Sequence, residues 1–331
     1  MRRRRCNARR LGVVWLLSLG AGRAIGAQTT TRIEGALEFL LPTGARSLAM
    51  GQAVAAAAVG SEALWWNPAL IARGPREAGL HIGTTNPVID TDASGAVVVP
   101  VRGVGAVAFS VRYLNLGSSP AAGANDTIQT GTLFNTSTIV GMTFAAPFGD
   151  RLAAGITAKV LHVGLACTGE CGTAGGSSQT SALDLGAQYF VTGDSSLAVG
   201  AAIRSLGFKL QIHDTPQADA LPSRADVGVL YLPKIAQLPK EAAVRLGADV
   251  VSVLGGGTPG YRVGGELSWL NRYQGRVGYV RLGPTAGSGS GPTFGFGLSA
   301  GKLQIDFAQT VTDLSGGSGG TPAYLSLRYI F

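Results

Sequence analysis

Two cysteines, three histidines and several glycine-rich stretches are the residues that first suggest chemistry in this sequence. Cys167 and Cys171 stand as C-T-G-E-C within a stretch rich in Gly, Thr and Ser. In an exported chain that spacing predicts a small loop disulfide, with two free loop thiols as the other state. A zinc site would need four ligands, and only His162 lies nearby. Gly255-x-Gly257-x-x-Gly260 has the letters of a dinucleotide fingerprint, which must open a helix, and Pro259 prevents a helix from starting there. Gly316-x-Ser318-x-Gly320 has the letters of a nucleophile elbow without the strand-to-helix turn. Gly301-Lys302 lacks the first glycine and the Ser/Thr of a phosphate loop. His81, His162 and His213 are not at ligand spacing, and Asp90 with Asp92 suggests a solvated turn more than a calcium loop. No Ser/His/acid set stands out. The residues argue against an enzyme and call for no cofactor and no metal.

The elements that would have to position such residues are unusual in composition. Of 331 residues 50 are glycine, 46% are hydrophobic and only 14% are charged, against about 25% charged in soluble domains. That excludes a disordered chain and leaves too few charges to solvate an ordinary cytosolic enzyme. The formal charge of +8 is concentrated at the start. Residues 1–10 hold six arginines, an apolar run follows from Leu11 to Leu19, and small residues lead to Ala27. This describes a secretory signal peptide over 1–27, its apolar run too short to span a bilayer, which takes about 20 residues. Cys6 precedes that run and is not placed as a lipid anchor. With the seven basic residues of the leader removed, 20 basic residues face 19 acidic ones. Nucleic-acid binding loses its support.

Beyond Gln28 the dominant pattern has period 2. Tyr261, Val263, Leu267 and Trp269 alternate with Arg262, Gly264, Glu266 and Ser268, and similar runs recur fourteen times. Each gives a strand with one apolar and one polar face, typically about 9–11 residues long, the length of a tilted transmembrane strand. Odd-to-even connections are mostly long (115–134, 165–180, 206–223, 312–322) and even-to-odd ones mostly short (Arg102-Gly103, Phe148–Arg151, Asn271-Arg272, Gly301-Lys302), with 233–241 an intermediate exception. Outer-membrane barrels have this parity. The expected fold is therefore all-β: a 14-stranded antiparallel transmembrane barrel over 77–331, preceded by a hatch or plug segment over 28–76. In hydrocarbon such a sheet must close so that every backbone group is paired. The polar faces place Arg112, Lys159, Asp184, Gln188, Arg245, Asp249, Arg262, Glu266, Asp306 and Arg328 in the lumen. Their mixed signs suggest mutual pairing more than a wide ion-selective pore. Alternation persists through Leu325, Leu327 and Tyr329 to Phe331, an ending that resembles the signal read by the barrel-assembly machinery. The alanine run at 55–58 suggests a helix, and Asn67-Pro68 reads as an N-cap with proline at the first helical position.

One element is more specific. Gly44, Ala45, Arg46, Leu48, Met50, Gly51 and Ala53 form G-A-R-x-L-x-M-G-x-A, followed by W-N-P-A at Trp66, Asn67, Pro68 and Ala69. This resembles the N-terminus of the PorV/PorQ family, within the FadL-like outer-membrane barrels. The resemblance implies fourteen strands, an N-terminal hatch and outer-membrane lipid as surroundings, and an even strand number returns both termini to the periplasm. It implies first an accessory of type IX-like protein secretion that binds cargo or secretion components. The alternative it offers is a passive transporter of hydrophobic small molecules, which an apolar pocket near Leu64, Trp65 and Trp66 would favour.

Overall fold

The structure, a computed structural model, describes residues 34–84, 91–122, 129–171, 175–211, 218–283, 290–311 and 321–331. The leader, Asp90, His213 and the Gly316–Gly320 stretch lie outside the described residues.

Fourteen antiparallel strands close into one barrel. They are β1 (Glu77–Thr84), β2 (Thr91–Val101), β3 (Gly105–Ala122), β4 (Gln129–Phe148), β5 (Leu152–Gly169), β6 (Gly176–Phe190) and β7 (Leu197–Gly207), followed by β8 (Arg224–Tyr231), β9 (Ala242–Val253), β10 (Gly260–Trp269), β11 (Tyr273–Arg281), β12 (Ser290–Ala300), β13 (Leu303–Thr310) and β14 (Ala323–Ile330). Neighbours in sequence are neighbours in the sheet, and β1 pairs with β14 from Glu77↔Ile330 to Thr84↔Ala323, which closes it. The fold is a 14-stranded transmembrane barrel. Its outer face confirms the alternation: Tyr261, Val263, Leu267 and Trp269 are 42–52% exposed, whereas Arg262 and Glu266 are buried.

Four strands exceed the expected length. β3 to β6 run for 18, 20, 18 and 15 residues, so 115–122, 129–134, 165–169 and 176–180 are strand where long loops were expected. In these extensions the buried positions are small or polar, Gly117, Ala121, Gly131, Ser178 and Thr180, so hydrophobic alternation no longer marks the strand. Backbone pairing continues instead through Ser118↔Phe134 and Thr132↔Thr168. Asp92 is likewise not in a turn: it sits in β2 and pairs with Arg112.

The segment ahead of β1 lies inside the barrel. A 3-10 turn at Leu37–Leu40 is followed by α1 (Ala45–Ala49) and two further 3-10 turns at Gly60–Trp65 and Pro68–Ile71. The alanine run at 55–58 is a turn and extended chain, not the expected helix. It is pressed against the wall at full burial, which fixes its path whatever its propensity. Asn67 does cap the last turn, accepting from the Ala69 amide at 3.0 Å.

Candidate functional site

The inner wall receives this segment on a belt of inward-facing glycines. Gly155 pairs with Gly186 across β5 and β6, Gly200 of β7 with Gly228 of β8, and Gly264 with Gly247 and Gly278 across β9 to β11. A methyl group on Gly264 would stand 2.1 Å from the Met50 carbonyl oxygen, and one on Gly278 2.1 Å from the Gly51 amide nitrogen. At Gly247 it would meet Ala53, at Gly200 Ala55, at Gly155 the Pro68-Ala69 backbone, and at Gly186 the Asn67 side-chain oxygen. Residues 50–69 therefore run close around the inside of the wall, mostly backbone to backbone, with the Asn67 side chain against Gly186. Two motif glycines have their own reasons. Gly44 holds φ +92 with the Glu62 side chain where a Cβ would be, and Gly51 holds φ +61 against the Val263 carbonyl.

Glu266 is the centre of the charge network toward the tight-turn end. Its carboxylate accepts from Arg276 Nε at 2.6 Å, Arg46 Nε at 3.0 Å and Arg245 Nη1 at 3.2 Å. Arg46 belongs to the N-terminal segment and also donates to the Ala57 carbonyl at 2.8 Å. Arg276 reaches Asp306 at 2.7 Å, and Arg328 bridges Glu77 at 3.3 Å and Gln304. Two buried carboxylates fasten the segment itself. Glu62 accepts from the Ser47 amide at 3.0 Å and the Ser47 hydroxyl at 2.6 Å, and Glu77 accepts from the Ser61 amide at 2.8 Å. His81 lies between Ser61 Oγ at 3.0 Å and Ser326 Oγ at 2.8 Å.

A second group sits nearer the other end. Asp226 accepts from Arg204 Nε at 2.8 Å and Arg262 Nη1 at 2.9 Å, and both guanidiniums lie over Trp66, whose indole nitrogen donates to the Thr43 carbonyl at 2.9 Å. Lys159 pairs with Asp184 at 2.8 Å. A bulge in β7, with Ser205 at φ +60, turns Arg204 and Ser205 inward together, and the Ser205 amide donates to Asp184 at 2.7 Å. Asp249 accepts from the Ala55 amide at 2.8 Å. Gln188 donates to the Ala56 carbonyl at 3.1 Å.

The sequence-predicted lumen residues are thus brought into one interior, with Arg245 at its margin, 43% exposed. Arg204, Asp226, Arg276 and Glu77 were not among them, although the same alternation marks them: Asp226 and Gly228 oppose outward Val227, Val229 and Tyr231. Met50 and Trp66 are buried in the apolar core between segment and wall. Asn67 donates to the Ala55 and Ala187 carbonyls at 2.7 and 3.0 Å. Tyr329 and Phe331 lie away from the lumen on the lipid face, stacked edge to face at 5.1 Å. Cys167 and Cys171 form a disulfide at the tip of β5, beside Gly131 of β4.

Alongside the charges the inner wall of β3 to β6 is apolar. Leu114, Ile139, Leu161, Val163 and Ala182 form a cluster there, bordered by Trp65 and covered by Phe39, Leu210 and Leu221. The strap carrying Phe39 is fastened at its edges. Lys159 Nζ lies 4.5 Å from the Phe39 ring centre, Ser137 donates to Glu38 at 2.8 Å, and Arg112 donates to the Leu41 carbonyl at 2.9 Å. Arg224 holds Glu34 at 2.7 Å. The arrangement is an apolar contact inside the barrel, buried between strap and wall toward the end with the long connections, and Lys159, Arg112 and Arg224 at its border are all engaged.

No protein-family model matches the chain, and no curated protein matches it by sequence. Solved structures do match in fold. The Pseudomonas putida toluene transporter TodX aligns with a TM-score of 0.57 at 14% identity, over 87% of this chain and 98% of its own. CymD, a monoaromatic hydrocarbon channel, gives 0.59 at 14%, over 88% and 98%. A Pseudomonas aeruginosa FadL homologue gives 0.52 at 14%, over 88% and 99%. At these identities the likeness is one of fold.

Proposed function

We propose that this chain is an outer-membrane barrel, delivered by the 1–27 leader, that passes hydrophobic small molecules inward past its N-terminal plug. The carrying observation is the apolar cluster of Leu114, Ile139, Leu161 and Val163 on the inner wall, bordered by Trp65. The cluster packs Phe39, Leu210 and Leu221 against the wall and is an apolar part of an otherwise charged interior. A solute that takes the place of Phe39 on this wall would be retained by the ordinary hydrophobic effect. The fold shared with the toluene transporter and the monoaromatic hydrocarbon channel supports this reading over a secretion accessory, which rests on the motif resemblance alone. Membership of the barrel class accounts for assembly-machinery recognition of Tyr329 and Phe331 and for periplasmic termini, and we include both in the proposal.

The test is uptake by vesicles reconstituted with the protein, using a labelled neutral aromatic solute. Saturable uptake is expected, and Leu161→Gln should reduce it about tenfold, the effect of roughly 1.4 kcal/mol for placing an unpaired polar group where an apolar contact was. Absence of uptake, with a stoichiometric protein partner co-purifying from detergent-solubilised membranes, would favour the secretion accessory instead.

A further inference from the structure

The rim where the chain makes its tight turns carries a charge pattern that neither plug nor lumen uses. Arg102, Arg151, Lys234, Lys240, Arg272 and Lys302 are exposed there, on five of the six turns. Arg73 and Arg76 add two more cations ahead of β1. Eight basic side chains thus share this level with three acidic ones, Asp150, Asp194 and Glu241. From Gln28 onward the rest of the chain holds twelve basic against sixteen acidic residues. Near neutrality overall conceals a rim of +5.

Part of that charge is engaged within the fold. Lys234 pairs with Asp194 at 2.6 Å between neighbouring turns. The Lys234 ammonium, with help from the Ser196 and Thr192 hydroxyls, holds the Asp194 carboxyl below the usual carboxylate range. Arg73 donates to the Gly149 and Leu152 carbonyls at 2.9 Å each. Among the described residues, Arg76, Arg102, Arg151, Lys240, Arg272 and Lys302 make no ion pair.

Their depth identifies what they face. A girdle of lipid-facing aromatics, Phe148, Tyr189, Tyr231, Trp269, Tyr273 and Tyr329, each 42–58% exposed, runs around the same end. Such girdles mark the headgroup level of a bilayer. Arg151, Lys234 and Arg272 follow Phe148, Tyr231 and Trp269 by three residues, in the turns just beyond. Cations at that position stand level with lipid phosphates.

We propose that the tight-turn rim is a binding surface for anionic phospholipid headgroups of the leaflet it meets, with Arg102, Arg151, Lys240, Arg272 and Lys302 as the recruiting charges. This follows from the barrel and its girdle and does not rest on the transport reading. A zwitterionic head carries its own cation beside the phosphate, so the rim distinguishes the anionic head by net charge. A basic side chain at an anionic surface gains about fivefold in association, or ~1 kcal/mol.

Trp269 is a built-in reporter. Of the three tryptophans beyond the leader, Trp65 and Trp66 face the interior, whereas Trp269 meets lipid. The Leu270 amide donates to the Glu241 carbonyl at 2.8 Å, which brings Lys240 alongside Arg272. The Gln28–Phe331 chain would be reconstituted in equal phosphatidylglycerol and phosphatidylcholine, with brominated acyl chains on one lipid at a time and Trp269→Phe as the blank. Brominated phosphatidylglycerol should quench Trp269 with about a fivefold preference. The preference should fall to parity in Lys240→Gln/Arg272→Gln/Lys302→Gln, whose folding heat-modifiable migration checks, and in the native protein near 1 M salt, where the Debye length is about 3 Å. Equal quenching by the two lipids in the native protein overturns the proposal, as does a preference that survives the triple substitution. Loss of the preference on adding inorganic phosphate at constant ionic strength also overturns it, in favour of a free-anion site.

Discussion

Glu266 is one carboxylate used by three guanidiniums, and two of them, Arg46 and Arg276, are as buried as it is. Inside a barrel these charges have no water to fall back on, so each depends on the others. Replacing Glu266 by Gln keeps the shape and removes the charge, leaving two buried guanidiniums without their shared partner. Unfolding in urea from lipid vesicles should show a loss of about 3–5 kcal/mol. Arg245→Gln, on the same carboxylate but 43% exposed, should lose at most about 1 kcal/mol. Glu266 and Arg245 were legible because strand alternation puts them on the polar face. Their third partner was not. Arg46 lies 220 residues away in sequence, and nothing in a linear pattern says which lumen carboxylate a plug arginine will reach. The β7 bulge was also hidden, since an extra residue breaks the parity by which Ser205 would have been assigned.

The N-terminal segment is an element without much structure of its own: one five-residue helix and three 3-10 turns. Its path is set by the wall, and the glycine belt is what makes the wall receptive. That gives a paired test. Gly264→Ala places a methyl 2.1 Å from the Met50 carbonyl, and its neighbours there are backbone atoms with no room to yield. Gly275→Ala on the adjacent strand meets nothing within 4 Å. Both leave the barrel strands paired. Gly264→Ala should displace the Met50-Gly51 turn and raise single-channel conductance in planar bilayers severalfold, whereas Gly275→Ala should conduct like the native protein. Equal conductance in the two would mean that residues 50–51 do not occlude the lumen. The segment was visible in the sequence as a motif, and its glycine and arginine now have contacts. Its conformation was not visible, because Ala55–Ala58 is held by burial and not by helix propensity. The same reason shortened the expected β3 to β6: hydrophobic alternation records where lipid is, and these hairpins continue past it on backbone pairing.

For the molecule as a whole, one arrangement accounts for both the scarcity of charge and its placement. The outer wall spends its residues on lipid, so the charges that remain are either paired inside or gathered at the rims. A conventional soluble sandwich would also alternate, but it would hide its apolar face in a core; here Val277, 66% exposed, and Phe296, 62% exposed, stand on the outside of a closed sheet. This predicts a depth profile that no soluble fold would give. Val277 lies at the middle of β11, so Val277→Arg should destabilise the folded barrel by about 2–4 kcal/mol, the cost of a guanidinium at mid-bilayer. Phe148→Arg, at the tight-turn end of β4 among cations already at headgroup level, should cost about 0–1 kcal/mol. Equilibrium unfolding in vesicles measures both. In a soluble protein the two substitutions, each on an exposed surface, would differ little, so a flat profile would remove the membrane from the account. A steep one would fix the apolar band midway along the strands, between the aromatic girdle of the tight-turn end and the elongated hairpins of β3 to β6.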